Sequence, residues 1–517
     1  EIELLTKRTV RFGGQEIPVI ALPVVITVRG PRQIGKTTFL KLLILRLLGY
    51  DIQPLKRGYL VKRRPRIAGN LNVIYIDCDK LGIEEHRELI SVAESVLREH
   101  SEISKGKFYL FVDEVTNVRN WSRAAKGLVE IALSSATIIL TGSHSLDVRI
   151  LSETLAGRRG EERIFRQAIP SGPDIEYLPL RFREYVANLN PGIRDLLWDL
   201  GLMTITKRME LLTDVLSLKT TDIPSELNEI KIKYGEELER YFYNYLLTGG
   251  IPKVIDEYYS YGSIDSSTYE TYIELVLKDA YRLGLSERVL LDVIREIIES
   301  ISSPIGIAKI AQKIGLGRDT VFRHIEFLEH AFVLMYLYPY DITKDKKYIT
   351  GMPRKYFIID PFIIHAFRAK TLGFTTPFEI SKEYVVSPSL RGRLFENVVA
   401  AHLRYLTREV AGTPLYIYNE FIYYGKVNSG EIDFVVHLPA YRKSIRKMYR
   451  EKLGIVSGAP YIPIEVTSEE KIDRRYITSL VKASSAKNIR GIAVTSKNMG
   501  IYKTFVEIPI HLFLLLI

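Results

Sequence analysis

Val24-Val25-Ile26-Thr27-Val28-Arg29-Gly30-Pro31-Arg32-Gln33-Ile34-Gly35-Lys36-Thr37-Thr38 decides the fold of the N-terminal part of this chain. A β-branched apolar run leads into Gly-x-x-x-x-Gly-Lys-Thr, and a leucine-rich helical pattern follows from Phe39 to Leu48. Strand, phosphate-binding loop and helix therefore stand in the required order. Glycines let the backbone fold back so that the N–H groups of residues 30–38 point at phosphate oxygens. Lys36 reaches the β- and γ-phosphates of a bound nucleotide, the Thr37 hydroxyl ligates Mg²⁺, and the helix N-terminus favours an anion. The whole loop, Gly30, Pro31, Arg32, Gln33, Ile34, Gly35, Lys36, Thr37 and Thr38, is the expected nucleotide cradle.

Hydrolysis of the nucleotide needs a carboxylate for Mg²⁺ and a group that activates water. Phe108-Tyr109-Leu110-Phe111-Val112-Asp113-Glu114 offers both at the end of a second buried-strand pattern. In a parallel sheet that strand end lies beside the phosphate loop. Asp113 is expected to hold Mg²⁺, directly or through water, and Glu114 to polarise the attacking water. A third strand, Ala136 to Leu140, exits into Thr141-Gly142-Ser143. Thr141 and Ser143 are candidates to sense the γ-phosphate or orient water. Asn72 to Asp79 reads as another strand of the same sheet. The cofactors expected are ATP and Mg²⁺.

These pieces, with Leu155-Ala156-Gly157-Arg158, Leu178-Pro179-Leu180-Arg181-Phe182-Arg183-Glu184-Tyr185, Gly249-Gly250-Ile251-Pro252, Gly392-Arg393-Leu394-Phe395-Glu396-Asn397 and Gly430-Glu431-Ile432-Asp433-Phe434, resemble one group of proteins. The group is the archaeal and bacterial AAA-type ATPases with a C-terminal domain related to the PD-(D/E)XK nucleases. The resemblance implies an arginine that stabilises γ-phosphate charge, in cis or from a neighbouring subunit, at Arg158 or Arg159. It also implies a carboxylate trio, Glu396, Asp433 and Glu465, that holds one or two Mg²⁺ ions in the nuclease-like domain. A lysine is expected two residues after Glu465, and Thr467 stands there instead. Lys471 is the nearest candidate to replace it. Threonine supplies no positive charge, so metal binding is expected to outlast cleavage.

The fold class expected is α/β and multidomain. Residues 1–170 read as a three-layer P-loop ATPase core, 171–285 as a helical lid, 286–352 as a winged helix and 353–517 as an α/β restriction-endonuclease-like domain. In the winged helix, Ile307 to Ile314 and a helix capped by Asp319 and running to His330 flank the turn Gly315-Leu316-Gly317-Arg318. Strands Phe332 to Tyr338 and Lys347 to Ile349 follow, with Lys344, Lys346 and Lys347 at the wing. Arg318, Arg323 and His324 are the second helix's candidates for a DNA groove.

The 517 residues carry 72 Lys plus Arg against 61 Asp plus Glu, a net +11 that favours an acidic partner. Two basic runs could track nucleic-acid phosphates or simply be solvated. One holds Lys56, Arg57, Lys62, Arg63, Arg64 and Arg66 around Tyr59. The other holds Arg442, Lys443, Arg446, Lys447, Arg450 and Lys452 with Tyr441 and Tyr449. A single cysteine, Cys78, excludes a disulfide framework and a cysteine-cluster zinc site. The scarcity of Cys and Met beside abundant Glu, Lys, Arg, Ile and Tyr fits a thermophile. No leader is evident, and the longest apolar runs, Ile17 to Val28 and Ile508 to Ile517, are too short to span a bilayer. The second reads as a buried final strand. A cytoplasmic protein is expected.

Three functions stay open: an ATPase acting on DNA, an ATP-regulated nuclease, and a signalling ATPase whose C-terminal half binds a protein. A homo-oligomer is compatible with each.

Overall fold

The computed structural model describes residues 2–54, 59–63, 72–103, 108–132, 136–142, 159–349, 351–427 and 430–517. The chain divides into two compact units, Glu1–Leu178 with His330–Phe332, and Pro179–Glu329 with Val333–Ile517.

In the first unit, β1 (Val25–Arg29), β2 (Asn72–Asp77), β3 (Phe108–Asp113), β4 (Ala136–Gly142) and β5 (Asp174–Glu176) form a parallel sheet in the order β2-β3-β4-β1-β5. Helices α1 (Lys36–Leu47), α2 (His86–Ile103) and α3 (Trp121–Ala132) cover it. Successive strand residues point to opposite faces. Val25, Leu110, Val112 and Ile138 join Leu89, Ala93, Trp121 and Leu128 in one core. Ile26, Val28, Phe111 and Ile139 join Phe39, Leu40 and Leu43 in the other. Burial on both faces is why these strands read as unbroken apolar runs. The parallel order brings the C-terminal ends of β1, β3 and β4 side by side.

The second unit begins with helices, among them Phe182–Leu189, Ile205–Leu216, Ser225–Thr248, Pro252–Tyr261 and Ser266–Arg282. A mixed sheet follows, built from β6 (Pro304–Ile305), β7 (Leu334–Asp341), β8 (Lys346–Lys347), β9 (Arg354–Ile358), β10 (Ile422–Val427), β11 (Gly430–His437), β12 (Tyr461–Val466), β13 (Gly491–Thr495), β14 (Gly500–Ile501) and β15 (Phe505–Pro509). Among the described residues the strand order is β6-β9-β7-β10-β11-β12-β13-β15-β14, with β8 on β7. Two helices matter below: α4 (Pro388–Ala411) and α5 (Lys443–Leu453).

Three sequence expectations change here. The wing strand, expected over Phe332 to Tyr338, is the longer β7, and its partner is the two-residue β8 rather than Lys347 to Ile349. β7 does not stand apart as a wing: Leu334–Leu337 pair antiparallel with β9, and Tyr338–Asp341 pair parallel with β10. Lid, winged helix and nuclease-like segment, read from the sequence as three domains, fall in one compact unit. The apolar tail is not one strand, since β15 ends at Pro509 and Ile510–Leu516 is a fully buried helix. A uniformly apolar run carries no period to separate strand from helix. No helix among the described residues is long and apolar enough to cross a membrane.

Candidate functional site

The phosphate loop takes its shape from close backbone packing. A Cβ on Gly30 would lie 1.8 Å from the Tyr177 carbonyl oxygen, so only glycine fits. Gln33 and Gly35 follow with φ of 60° and 93°. α1 then starts at Lys36, whose buried ammonium donates to the carbonyls of Gly30 and Pro31, each at 2.9 Å. Those carbonyls hold the charge beside the loop, ready to exchange them for phosphate oxygens. Thr37 is half-buried and Thr38 exposed at the helix start.

Asp113 ends β3 and is buried. Its Oδ2 accepts the Tyr75 hydroxyl of β2 at 2.8 Å. Its Oδ1 accepts the Thr141 hydroxyl of β4 and the Glu114 N–H, the latter at 3.1 Å. The Glu114 N–H also donates to Thr141 Oγ1 at 3.0 Å. Burial, then the Asp113 charge, push the Tyr75 hydroxyl far above its usual pKa, so it stays a donor. Glu114 adopts φ 52°, left-handed backbone that costs a non-glycine residue energy and aims its side chain out of the strand direction. Its Oε2 is buried without a hydrogen-bond partner, as is Oε1 of Gln33. An orphaned carboxylate oxygen next to a fixed aspartate suits a bound water. The donor set, Thr37 hydroxyl and Asp113 carboxylate, is the hard-oxygen set that Mg²⁺ takes. Tyr75 went unremarked in the sequence because nothing in a strand pattern shows which side chain faces a neighbour's carboxylate.

Ser143 and Arg158 lie outside the described residues, as do Lys56, Arg57, Arg64 and Arg66. Arg159 is committed elsewhere. Its guanidinium grips buried Asp174 in two hydrogen bonds of 2.9 and 2.7 Å. Burial raises the Asp174 pKa, but Arg159 outweighs it and draws the value down to about 2. An arginine held this way ties residue 159 to β5, and of the two finger candidates only Arg158 stays open.

The second unit gathers the other predicted carboxylates. Glu396 on α4, Asp433 on β11 and Glu465 on β12 are drawn together around an ammonium absent from the sequence expectation, that of Lys355 on β9. Lys355 Nζ lies 3.0 Å from Glu396, 2.8 Å from Glu431 and 3.3 Å from Asp433. Asp433 Oδ2 accepts the Val466 N–H at 2.9 Å, and Glu465 Oε2 accepts the Asp433 N–H at 3.3 Å. Burial, and then the Asp433 charge, raise Glu396 and Glu465 well above the usual carboxylate range. Lys355, opposed by burial, is held charged by Glu396, Asp433 and Glu431. Thr467 donates its N–H to the Val494 carbonyl and accepts the Glu469 N–H at its hydroxyl, so it closes a turn. Lys471 is exposed in that turn.

The narrower motifs prove to be packing devices. The Gly250 carbonyl accepts the Leu180 N–H at 2.8 Å, and Asp360 accepts the Gly250 N–H at 2.7 Å. A Cβ would lie 1.8 Å from Asp360 Oδ1 at Gly249, and 2.1 Å from the Leu180 carbonyl at Gly250. Arg181 pairs with Glu184 and Glu409.

The DNA-facing candidates divide. His324 is buried, with Nδ1 2.7 Å from the Thr320 carbonyl, so it does not face a groove. Arg318 and Arg323 are exposed. Lys347 pairs with Glu420 at 2.9 Å. On α5, Lys443, Arg446, Lys447 and Arg450 are exposed, while Ile445 and Tyr449 face the core and Lys452 pairs with Asp214 at 2.6 Å.

With this geometry in place the comparisons become informative. Residues 23–186 match the family of the AAA domain. The match supports an AAA-type ATPase and nucleotide binding, and it contains every described residue of the phosphate-loop site. Residues 239–376 of the chain match a domain of unknown function, which includes Lys355. No curated protein matches the chain. Among solved structures, the chain is similar to the Orc1 protein of Aeropyrum pernix in complex with DNA. Identity is 12%, covering 67% of this chain and 86% of that one, with a TM-score of 0.28.

Proposed function

We propose that the chain is a Mg²⁺-dependent ATP-binding and ATP-hydrolysing AAA-type ATPase that acts on DNA. The observation that carries the ATPase reading is the pairing of a loop-held Lys36 with the Asp113–Thr141–Glu114 group, in which one Glu114 oxygen is buried and unpartnered. In this reading Lys36 leaves the loop carbonyls for the β- and γ-phosphates. Thr37 and Asp113 would hold Mg²⁺, which neutralises charge on the phosphates. Tyr75 and Thr141 keep the Asp113 oxygens oriented. Glu114 accepts a proton of the attacking water and aligns its oxygen on the γ-phosphorus. The bond to the β-phosphate oxygen breaks as the new P–O bond forms. Arg158 is the arginine assigned to γ-phosphate charge.

Residues 171–285, 286–352 and 353–517 serve here as lid, winged helix and nuclease-like module. The four exposed cations of α5 support contact with a phosphate backbone. ATP turnover measured with single-stranded, double-stranded and branched DNA tests this reading. At least one DNA is expected to stimulate turnover; no stimulation together with no salt-sensitive DNA binding overturns it. One observation favours a second reading, an ATP-regulated nuclease: a buried ammonium sits among the carboxylates that the nuclease-like resemblance requires.

A further inference from the structure

We propose that Lys355 does the work of the lysine missing at position 467, holding the positive charge of a phosphodiester-cleaving site formed with Glu396, Asp433 and Glu465. The inference rests on the nuclease reading of those three carboxylates and adds to it the residue that the chain's sequence lacks.

The sheet explains how a lysine so distant in sequence arrives. β7 switches partner along its length, from β9 up to the Leu337–Lys355 pair to β10 from the Tyr338–Tyr423 pair onward. Lys355 sits at that switch, and its ammonium extends over the ring of Tyr424, 5.9 Å from the centroid, to β11. It is 1% exposed. A buried ammonium costs several kcal/mol unless compensated. One carboxylate would neutralise it, yet three surround it, two of them Glu396 and Asp433. Thr467 follows Glu465 by two residues, so in extended chain both side chains face one side. A lysine there and Lys355 would approach the same carboxylates from different strands.

The donor set of Glu396, Asp433 and Glu465 is all carboxylate oxygen and suits Mg²⁺ or Mn²⁺. Hydrolysis of a phosphodiester forms one P–O bond from water and breaks one to a sugar oxygen. The water gives up a proton and the leaving oxygen gains one, so no further reactant is consumed. Lys355 stabilises the negative charge that grows on the phosphoryl oxygens and orients the water.

The test uses the full chain with Mg²⁺ or Mn²⁺, with and without ATP, on plasmid and oligonucleotide DNA. Lys355→Met is expected to cut cleavage at least about 100-fold. It should bind Mn²⁺, followed by calorimetry, at least as tightly as the parent, because a repelling charge is gone. Adding Thr467→Lys to Lys355→Met should restore cleavage to within about tenfold of the parent. Parental cleavage by Lys355→Met overturns the assignment of Lys355 while leaving the nuclease reading intact. Loss of Mn²⁺ binding in Lys355→Met with no rescue by Thr467→Lys also overturns it, in favour of a structural ion pair. A parent inert with both metals overturns the nuclease reading itself, and this role with it. Should Lys355→Met not fold, Lys355→Gln keeps amide donors for the carboxylates and carries the same comparison.

Discussion

Tyr75 donates its hydroxyl proton to Asp113 at 2.8 Å, across two adjacent parallel strands. The bond fixes which way the Asp113 carboxylate faces, and it does so before any nucleotide arrives. Tyr75→Phe removes that donor alone. Turnover of ATP is expected to fall about tenfold, the equivalent of one charge-assisted hydrogen bond of about 1.4 kcal/mol. Nucleotide titration should give an affinity close to the parent's. A collapse of ATP affinity with unchanged turnover at saturation would contradict a positioning role.

Glu114 and Lys36 separate hydrolysis from binding. Glu114→Gln keeps a hydrogen-bonding side chain in the left-handed position but cannot take a proton from water. It is expected to bind ATP as the parent does and to hydrolyse it at least about 100-fold more slowly. Lys36→Ala should abolish binding, because the ammonium on the Gly30 and Pro31 carbonyls is the loop's cation for the phosphates. Hydrolysis by Glu114→Gln at the parental rate would sink the water-activating assignment.

Arg159 and Asp174 are a buried pair, so breaking it leaves a charge unpaired. Asp174→Asn is expected to destabilise the first unit by about 3–5 kcal/mol in denaturant unfolding. The pH dependence has a definite sign. Asp174 is depressed from 3.8 to about 2 on folding, so its contribution is fully present above the unfolded value and is lost as pH falls from about 4 to 2. A stability profile of Asp174→Asn that keeps the parental slope in that window would remove Asp174 as its source.

His402 provides a second pH test in the other unit. Its Nε2 accepts the Phe182 N–H at 2.9 Å, so Nδ1 carries the hydrogen and donates to the Val398 carbonyl at 2.8 Å. Burial holds this neutral ring down to about 3, against 6.5 unperturbed. The unfolded chain therefore binds one more proton than the folded chain between those values. Stability contributed by the neutral ring is present above 6.5 and falls with pH by about 1.4 kcal/mol per unit through that window. His402→Gln should flatten the profile by one proton, measured by unfolding between pH 4 and 7.

Gly250→Ala tests whether the Gly249-Gly250-Ile251-Pro252 turn is a packing device. The added methyl meets the Leu180 carbonyl at 2.1 Å, backbone that has no room to yield. Thermal unfolding is expected to show a loss of roughly 1–3 kcal/mol. A variant as stable as the parent would show that the segment around Leu180 yields to the methyl.

The phosphate-loop site was largely legible because each part is short and local. Gly30 to Thr37 is one turn between a strand and a helix, and Asp113-Glu114 is one strand end. Parallel strands must align their C-terminal ends, so the two meet without any further information. The rest was not legible, for a common reason. Tyr75 on Asp113, Arg159 on Asp174 and Lys355 on Glu396 are separated by between 15 and 41 residues of chain (38 for the first pair). Spacing along the sequence says nothing about pairs that only strand order brings into reach. His324 and the tail helix failed for the complementary reason, since composition shows that a residue is polar or apolar but not what buries it.

By itself, then, the sequence determined a nucleotide loop, the acidic strand end beside it and the three carboxylates far downstream. Local backbone geometry and side-chain chemistry are enough for those. Only the tertiary structure decided that a lysine serves those carboxylates. It comes from β9 because β7 exchanges β9 for β10 midway along its length, and a change of partner within one strand leaves no mark in the order of residues.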